Sequence, residues 1–354
     1  MVINFASNDY LSLAADERVI DAAVRAARDW GWGAAASRLV SGTFTPHRTL
    51  ETRLAEFFGT PSALVFSSGY HANLAAVRAG ASKGDVIFSD ERNHASLIDG
   101  ARLSGARVVV FPHRDYDALN ELLARHAGSL RRLIVTESLF SVDGGFASLP
   151  RLVELKERHD AVLCVDEAHA FGVFGDHGRG LAEMQNVEGR IDMLIGTLSK
   201  ALGGAGGFIC GSQALIDWLV NTARTFIFST APPPAVCAAA TAALDIVEQE
   251  PERRANVLAL AAGLRTELGD VRGHDLSTTQ SQIVPVVIGE PARTVELAER
   301  LLDRGLFVPA FRPPSVPSGS ARLRISVTAG HEPGHLNTLL KALDELCPSK
   351  ANAR

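Results

Sequence analysis

The sequence predicts an α/β protein with a large domain built on a mostly parallel seven-stranded sheet and a smaller C-terminal α/β domain. Short apolar runs alternate with segments of helical spacing over most of the chain. A proline-rich break at residues 232–234 then precedes a second, shorter series of the same kind. At 354 residues, the chain is long enough for more than one domain.

Seven apolar runs are expected to be buried strands. They lie at residues 63–66, 85–88, 107–111, 133–136, 161–165, 193–196 and 207–210. Segments 115–126 and 149–159 carry apolar residues at helical spacing. Strands that alternate with helices form parallel sheets covered on both faces, and such sheets bind ligands at the carboxyl ends of their strands. The residues that follow each run are therefore the candidate site residues.

The C-terminal part repeats the α/β pattern on a smaller scale. After residue 250 we expect a strand at 283–288, a helix at 292–304, strands at 306–310 and 322–327, and a last helix. The predicted division is an N-terminal segment 1–36 that packs with the small domain, a large cofactor-binding domain 37–250 and a small domain 251–354. Trp30 and Trp32 are expected to pack in the core rather than to line a channel.

Composition excludes several functional classes. The net charge is −5, from 35 basic and 40 acidic side chains, which argues against a nucleic-acid binder. No apolar run is long enough to span a bilayer, so no membrane partner is expected. The four cysteines have neither CxxC nor metal-ligand spacing, which predicts a cytoplasmic protein without a structural metal.

The strongest chemical signal is an aspartate and a lysine that each follow a predicted strand. Asp166 ends the run at 161–165, and Lys200 comes 34 residues later, before a glycine-rich loop. A lysine among small residues can form a Schiff base with a carbonyl, and a buried carboxylate keeps a pyridine nitrogen protonated. Either residue alone has an ordinary interpretation, as an exposed loop lysine or a helix N-cap. Together, in this order, they predict a pyridine cofactor held by Lys200.

Two further strand ends carry candidate cofactor contacts. Ser68, Gly69 and Tyr70 open a predicted helix, and backbone N–H groups at a helix N-terminus suit a phosphate. Tyr70 could instead cover the core. His94 follows another strand, where it can stack on a planar ring or serve as an N-cap.

Taken together, Asn73, His94, the segment 166–169 and the segment 197–200 resemble the fold-type I pyridoxal 5'-phosphate (PLP) enzymes. The resemblance is closest to the α-oxoamine synthases, which join an amino acid to an acyl thioester with loss of carbon dioxide. Segments 4–13, 37–42, 136–144 and 228–233 also match that family's pattern. The Arg-Pro-Pro-x-Val-Pro turn at 312–317 is most similar to the branch that acts in biotin biosynthesis.

The resemblance implies a role for each candidate cofactor residue. Lys200 holds PLP, Asp166 pairs with the pyridinium nitrogen, His94 stacks on the ring, and His169 donates a hydrogen bond to the ring hydroxyl. The other residues expected around the cofactor are Ser68, Gly69, Tyr70, Glu137, Ser141 and Thr197. Thr230 is expected to contact the phosphate from a partner subunit, which implies a homodimer with active sites at its interface.

The resemblance also implies the substrates. Arg324 is expected to hold the amino-acid carboxylate, but Arg322 lies on the same face of the predicted strand and remains an alternative. Ser37 stands where the glycine-using branch of the family carries threonine, and the smaller side chain leaves room for the methyl group of L-alanine. The expected reaction condenses L-alanine with a pimeloyl thioester, carried by coenzyme A or by acyl carrier protein.

Three alternatives remain open at this stage. The chain could be another α-oxoamine synthase, for example one like 2-amino-3-ketobutyrate ligase. It could be an aminotransferase or β-lyase of the same fold, which would release no carbon dioxide. It could also be a non-catalytic partner subunit, but the presence of Lys200, Asp166 and His169 argues for an enzyme.

Overall fold

The computed structural model describes residues 2–271, 274–277 and 279–347. The helices are α1 (Glu17–Trp30), α2 (Thr45–Phe58), α3 (Gly69–Gly80), α4 (Ala95–Ser104), α5 (Tyr116–Arg125), α6 (Leu149–Arg158), α7 (Leu181–Met184), α8 (Gln213–Thr222), α9 (Arg224–Ile227), α10 (Pro234–Gln249), α11 (Pro251–Thr266), α12 (Pro291–Asp303) and α13 (Pro333–Leu346). The strands are β1 (Ile3–Asn4), β2 (Ser62–Phe66), β3 (Val86–Asp90), β4 (Arg107–Phe111), β5 (Arg132–Glu137), β6 (Val162–Asp166), β7 (Met193–Thr197), β8 (Gly207–Gly211), β9 (Ile283–Gly289), β10 (Leu306–Phe307), β11 (Ala310–Phe311) and β12 (Ala321–Ser326). A π-helical turn, Glu267–Val271, follows α11.

The chain forms two compact units. The larger comprises residues 13–139 and 147–251, and the smaller comprises the described residues within 1–12, 140–146 and 252–354. This division differs in two places from the one expected from sequence. Helix α1 lies in the larger unit, where it packs against α10. The short segment 140–146 belongs to the smaller unit, although no change of composition marks it.

The larger unit is built on a seven-stranded sheet of order β2-β8-β7-β6-β5-β3-β4. All neighbouring pairs are parallel except those made by β8, which is antiparallel to both β2 and β7. The predicted mostly parallel sheet is therefore confirmed. Every residue of β3, β7 and β8 is buried, as expected for a sheet with helices on both faces.

The sheet register places the candidate residues side by side. Glu137 at the end of β5 pairs with Asp166 at the end of β6, and Asp166 pairs in turn with Ile195 of β7. Lys200 is the third residue after β7. The carboxyl ends of three adjacent strands thus meet at one edge of the sheet, where α/β proteins form their ligand sites.

The smaller unit contains a three-stranded sheet, β11-β12-β9, and a separate parallel pair, β1-β10. The strand expected at 306–310 is in fact two short strands, because Pro309 has no N–H group to continue the pairing. Strand β10 pairs with β1, and β11 pairs with β12. The core of this unit includes Phe5, Leu301, Ile325 and Leu339.

The expected burial of the two tryptophans is wrong. Trp30 is 40% exposed and Trp32 is 81% exposed. Helix α1 buries Val19 and Ala22 and ends at Trp30, so both indole rings lie at or beyond the end of its apolar face. Among the helices that the structure describes, none is both long and apolar enough to cross a membrane.

Candidate active site

A cavity of about 240 Å³ opens in the larger unit at the carboxyl ends of β5, β6 and β7. Its lining residues are Ser68, Gly69, Tyr70, Asn73, His94, Ser96, Glu137, Asp166, Ala168, His169, Ile195, Gly196, Thr197, Ser199 and Lys200. The sequence had indicated nine of these as cofactor contacts: Ser68, Gly69, Tyr70, His94, Glu137, Asp166, His169, Thr197 and Lys200. Five predicted residues do not line this cavity: Ser37, Ser141, Thr230, Arg322 and Arg324.

One end of the cavity is the N-terminus of α3. Ser68 caps this helix, because its side chain accepts a hydrogen bond from the His71 N–H. A Cβ atom on Gly69 would lie 3.3 Å from Thr197 Oγ1, so glycine lets the helix start approach β7 closely. A Cβ on Gly207 would lie 2.5 Å from Gly69 Cα, so β8 also needs glycine there. The result is a tight cradle of backbone N–H groups that suits an anion.

Tyr70 lies at the edge of this cradle and does not cover the core. Its side chain is 42% exposed, and its hydroxyl donates a 2.5 Å hydrogen bond to Asp99 of α4. This hydrogen bond raises the pKa of Tyr70 above its ordinary value. The phenol is therefore held as a neutral donor beside the start of α3.

Asp166 forms the floor of the cavity. The carboxylate is 6% exposed and accepts hydrogen bonds from the Ala168 N–H at 2.8 Å and from Asn73 Nδ2 at 2.7 Å. Among the residues that the structure describes, it has no ion-pair partner. A buried carboxylate without a cation is costly unless a positively charged ligand balances it. The helix N-cap interpretation of Asp166 is wrong, because residues 168–173 form turns and no helix begins there; the carboxylate caps only a turn through the Ala168 N–H.

His94 and Lys200 lie on the walls. His94 caps α4, with Nδ1 2.7 Å from Ser96 Oγ. Partial burial lowers the pKa of His94, and the nearby Lys200 charge lowers it further, against the opposing effects of Asp166 and Asp99. Lys200 is half-buried and follows a turn in which the Thr197 hydroxyl donates to the Gly206 carbonyl.

Glu167, to which the sequence gave no role, anchors the loop that carries His169. Its fully buried carboxylate accepts from the Ser138 hydroxyl at 2.6 Å and from the Leu181 and Ala182 N–H groups at 3.1 and 2.8 Å. Burial raises the pKa of Glu167 to about 7, despite these hydrogen bonds. No local pattern identifies such a residue, because its partners lie 14 to 29 positions away.

The two candidate arginines lie in the smaller unit and have different partners. Arg322 forms an ion pair with Asp143. Arg324 is 4% exposed; its Nε donates to the Ser141 carbonyl at 2.6 Å, and its Nη1 donates to Ser326 Oγ at 2.8 Å and to Asn8 Oδ1 at 3.2 Å. Among the described residues, no carboxylate forms an ion pair with Arg324.

Ser37 and Thr230 lie together, away from the cavity lining. They form an isolated antiparallel bridge, which is extended by a hydrogen bond from the Ala231 N–H to the Ala36 carbonyl. Both belong to the larger unit. Phe228, two residues before Thr230, is 70% exposed.

Sequence reasoning missed the polar residues that support the cavity. Asn73 belongs to the family resemblance without an implied role, and no pattern in the sequence marks Ser96 as a site residue. Asn73 Nδ2 also donates to Ser96 Oγ at 2.8 Å, and Asn73 Oδ1 is buried without a hydrogen-bond partner. A small polar residue in a helix gives no signal in the sequence until the facing helix is known.

The cavity fits PLP on three observations. The phosphate would lie at the α3 N-terminus. Gly69 and Gly207 pack there too closely for a Cβ atom, so no side chain covers the backbone N–H groups. Asp166 is a buried carboxylate that would balance the pyridinium charge. Lys200 lines the same cavity and supplies an amine. Asp166, His94, His169 and Lys200 would hold the ring.

The chain belongs to the aminotransferase class I and II family, whose pattern matches residues 1–343. A relative in Anaeromyxobacter dehalogenans (strain 2CP-1) is 48% identical over 347 residues, which cover 98% of this chain and 87% of that protein. It is named 8-amino-7-oxononanoate synthase.

Solved structures show the same fold. Serine palmitoyltransferase from Sphingomonas wittichii superposes with a TM-score of 0.94 at 34% identity, covering 98% of this chain and 87% of its own. A structure described as SPT with its PLP internal aldimine is equally similar. The 8-amino-7-oxononanoate synthase of Francisella tularensis has a TM-score of 0.83 at 30% identity, covering 98% of this chain and 96% of its own. The predicted fold-type I architecture is confirmed.

Proposed function

We propose that the protein is a PLP-dependent acyltransferase that condenses L-alanine with a pimeloyl thioester. The products are 8-amino-7-oxononanoate, carbon dioxide and the free thiol, as in biotin biosynthesis. One observation carries the proposal: the buried Asp166 and the half-buried Lys200 line one cavity, in a chain that is 48% identical over almost its whole length to a relative named 8-amino-7-oxononanoate synthase. The four free cysteines fit the reducing cytoplasm.

When bound, PLP supplies an electron sink for the negative charge that develops at the Cα of the amino acid. Asp166 would hold a negative charge at the ring nitrogen. His94 would stack on the ring, and His169 would donate to the ring hydroxyl. Lys200 would hold the cofactor through its amine, and the same amine, when free, would take the Cα proton of alanine.

Arg324 is the proposed carboxylate clamp. It is buried and held by neutral acceptors, so its positive charge remains available for an anionic ligand. The Ser141 carbonyl orients its Nε–H. Arg322 is the weaker candidate, because Asp143 already neutralises it.

The protein is proposed to act as a homodimer. Ser37 and Thr230 are paired with each other outside the cavity, so we expect both to serve the active site of the second copy: Thr230 at the phosphate and Ser37 beside the substrate Cα. The exposed side chains of Trp32 (81%), Val40 (81%) and Phe228 (70%) supply apolar surface for such an interface.

The decisive test is the mass of the product. The purified enzyme is incubated with alanine, serine or glycine and with pimeloyl or palmitoyl thioesters of coenzyme A and acyl carrier protein. We expect 8-amino-7-oxononanoate from alanine and a pimeloyl donor, and no product after Lys200→Ala. A product from glycine in preference to alanine would overturn the alanine assignment.

Serine palmitoyltransferase activity is the second candidate. It is favoured by the TM-score of 0.94 for those structures, against 0.83 for the Francisella tularensis synthase. Sequence identity points the other way, at 34% against 48% for the relative from Anaeromyxobacter dehalogenans. The same panel decides, because serine with a palmitoyl thioester gives a long-chain product of very different mass.

A further inference from the structure

The strongest feature without an assigned role is a chain of buried polar groups between Asp166 and His94. It runs from the carboxylate through Asn73 of α3 and Ser96 of α4 to the imidazole. Asn73 is 3% exposed and Ser96 is fully buried. The chemistry of each group fixes the direction of every hydrogen bond in this chain.

The Asp166 carboxylate determines which groups donate and which accept in the first two hydrogen bonds of the chain. An ionised carboxylate only accepts hydrogen bonds, so the Asn73 amide must present its NH₂ group to Asp166 Oδ2 at 2.7 Å. The second N–H of that group then points to Ser96 Oγ at 2.8 Å. This orientation leaves Asn73 Oδ1 without a partner, a cost that the two donated bonds offset.

The same donor and acceptor roles determine what His94 Nδ1 does in the last hydrogen bond of the chain. Because Ser96 Oγ accepts from Asn73, its own hydrogen is available for His94 Nδ1, 2.7 Å away. The Ser96 backbone N–H, which can only donate, also faces Nδ1 at 3.3 Å. Two donors at one ring nitrogen require a lone pair there, so the ring proton must lie on Nε2.

We propose that Asn73 and Ser96 are positioning residues that hold His94 as the neutral Nε2–H tautomer. The functional part of this inference rests on the proposed PLP enzyme. A neutral imidazole can stack on a cationic pyridinium ring without charge repulsion, and its Nε2–H is a defined donor. Asp166 would thus act twice, directly at the ring nitrogen and through Asn73 and Ser96 on the histidine.

The charged surroundings of His94 are compatible with a neutral ring. Asp166 at the end of β6 and Asp99 on α4 favour the charged form, while Lys200 after β7 opposes it. Burial is the largest influence and lowers the pKa of His94. The two serine donors act in the same direction, because both are lost as favourable contacts if Nδ1 gains a proton.

The test is nitrogen NMR on the PLP-loaded enzyme labelled with ¹⁵N-histidine. The signal of His94 is assigned among the 11 histidines by difference with His94→Gln. In the wild type we expect an unprotonated Nδ1 and a protonated Nε2 from about pH 6.5 to 8.5. A protonated Nδ1 in this range would overturn the proposal without any further variant.

Variants separate positioning from simple packing. Ser96→Ala should raise the pKa of His94 by about half to one unit, the scale of one neutral hydrogen bond, and move the acid limb of the kcat/KM profile equally. Ser96→Cys keeps the shape with a weaker donor and should give a smaller shift. Asn73→Ala should also shift the pKa upward. Ser104→Ala, at the other end of α4, is the matched control. It should change neither the pKa of His94 nor the acid limb of the kcat/KM profile.

Equal NMR spectra and pH profiles for Ser96→Ala and Ser104→Ala would refute the positioning role. The tautomer is read without substrate, so it is independent of the proposed reaction. If the tautomer is as expected but alanine and pimeloyl thioesters give no product, the proposed function fails and the assignment of His94 stands.

Discussion

We expect Arg322 and Arg324 to differ in function because their partners differ. Both are buried on β12, but Asp143 neutralises only Arg322. Arg324→Lys keeps the charge and loses the planar fork that binds a carboxylate at two points. We expect the KM for alanine to rise about 10- to 100-fold, as the loss of one or two charge-assisted hydrogen bonds would give.

Arg322→Lys is the matched control for this prediction. It should lower thermal stability and leave the KM for alanine nearly unchanged, since Arg322 is engaged by Asp143. Steady-state kinetics with alanine as the varied substrate measures both variants. A raised KM in Arg322→Lys with a normal KM in Arg324→Lys would assign the clamp to the other arginine.

Glu167 should make the stability of the protein depend on pH. Its pKa is raised to about 7 in the folded state, from an ordinary value of 4.5, so between these values the folded state binds more protons than the unfolded state. Its contribution to the free energy of unfolding is therefore greatest below about pH 4.5, falls as the pH rises to about 7, and is constant above that.

Comparison with Glu167→Gln isolates this effect, because the amide cannot ionise. Between pH 5 and pH 8 the wild type should lose about 2–3 kcal/mol relative to the variant. Urea unfolding of both proteins at the two pH values gives the difference. An equal difference at pH 5 and pH 8 would show that the carboxyl does not titrate in this range.

At the scale of elements, Gly207 sets the distance between β8 and the start of α3. A Cβ there would lie 2.5 to 2.7 Å from backbone atoms of Gly69 and Ser68, which cannot give way as a side-chain tip could. We expect Gly207→Ala to cost about 1–3 kcal/mol of stability and to weaken PLP binding by distorting the cradle.

Gly263 in α11 is the control for that substitution. It is exposed, and nothing lies within 4 Å of a Cβ built on it, so Gly263→Ala should stabilise the helix by about 0.5–1 kcal/mol. Denaturant unfolding and PLP titration measure both variants. Gly207→Ala with unaltered PLP affinity would contradict the assigned cradle.

The sequence predicted the strands of the large sheet because each is a short apolar run. All are mostly buried except the edge strand β4, of which only Phe111 is buried. The sequence also predicted the residues at the carboxyl ends of the strands, since parallel strands bring those ends together. It could not separate Arg322 from Arg324, because alternate strand residues share a face and Asp143 lies 179 positions away. The Asn73–Ser96 contact was equally hidden, since it exists only where α3 packs on α4.

At the scale of the whole molecule, the paired Ser37 and Thr230 make a prediction about two copies of the chain. If Thr230 serves the partner's phosphate, Thr230→Glu places a negative charge there and inactivates the partner's site. Lys200→Ala inactivates its own site. Each homodimer should then be inactive alone.

Mixing the two variants under conditions that exchange subunits should restore activity. In a mixed dimer, the subunit with Thr230→Glu keeps its own Lys200 and receives an intact Thr230 from its partner, so one of the two sites is complete. With random exchange of equal amounts, half of the dimers are mixed, which gives about a quarter of the wild-type activity. If Thr230 instead served its own subunit, both sites of the mixed dimer would be damaged and no activity would return. The yield of 8-amino-7-oxononanoate after mixing therefore decides whether the bridged Ser37–Thr230 segment acts across the interface.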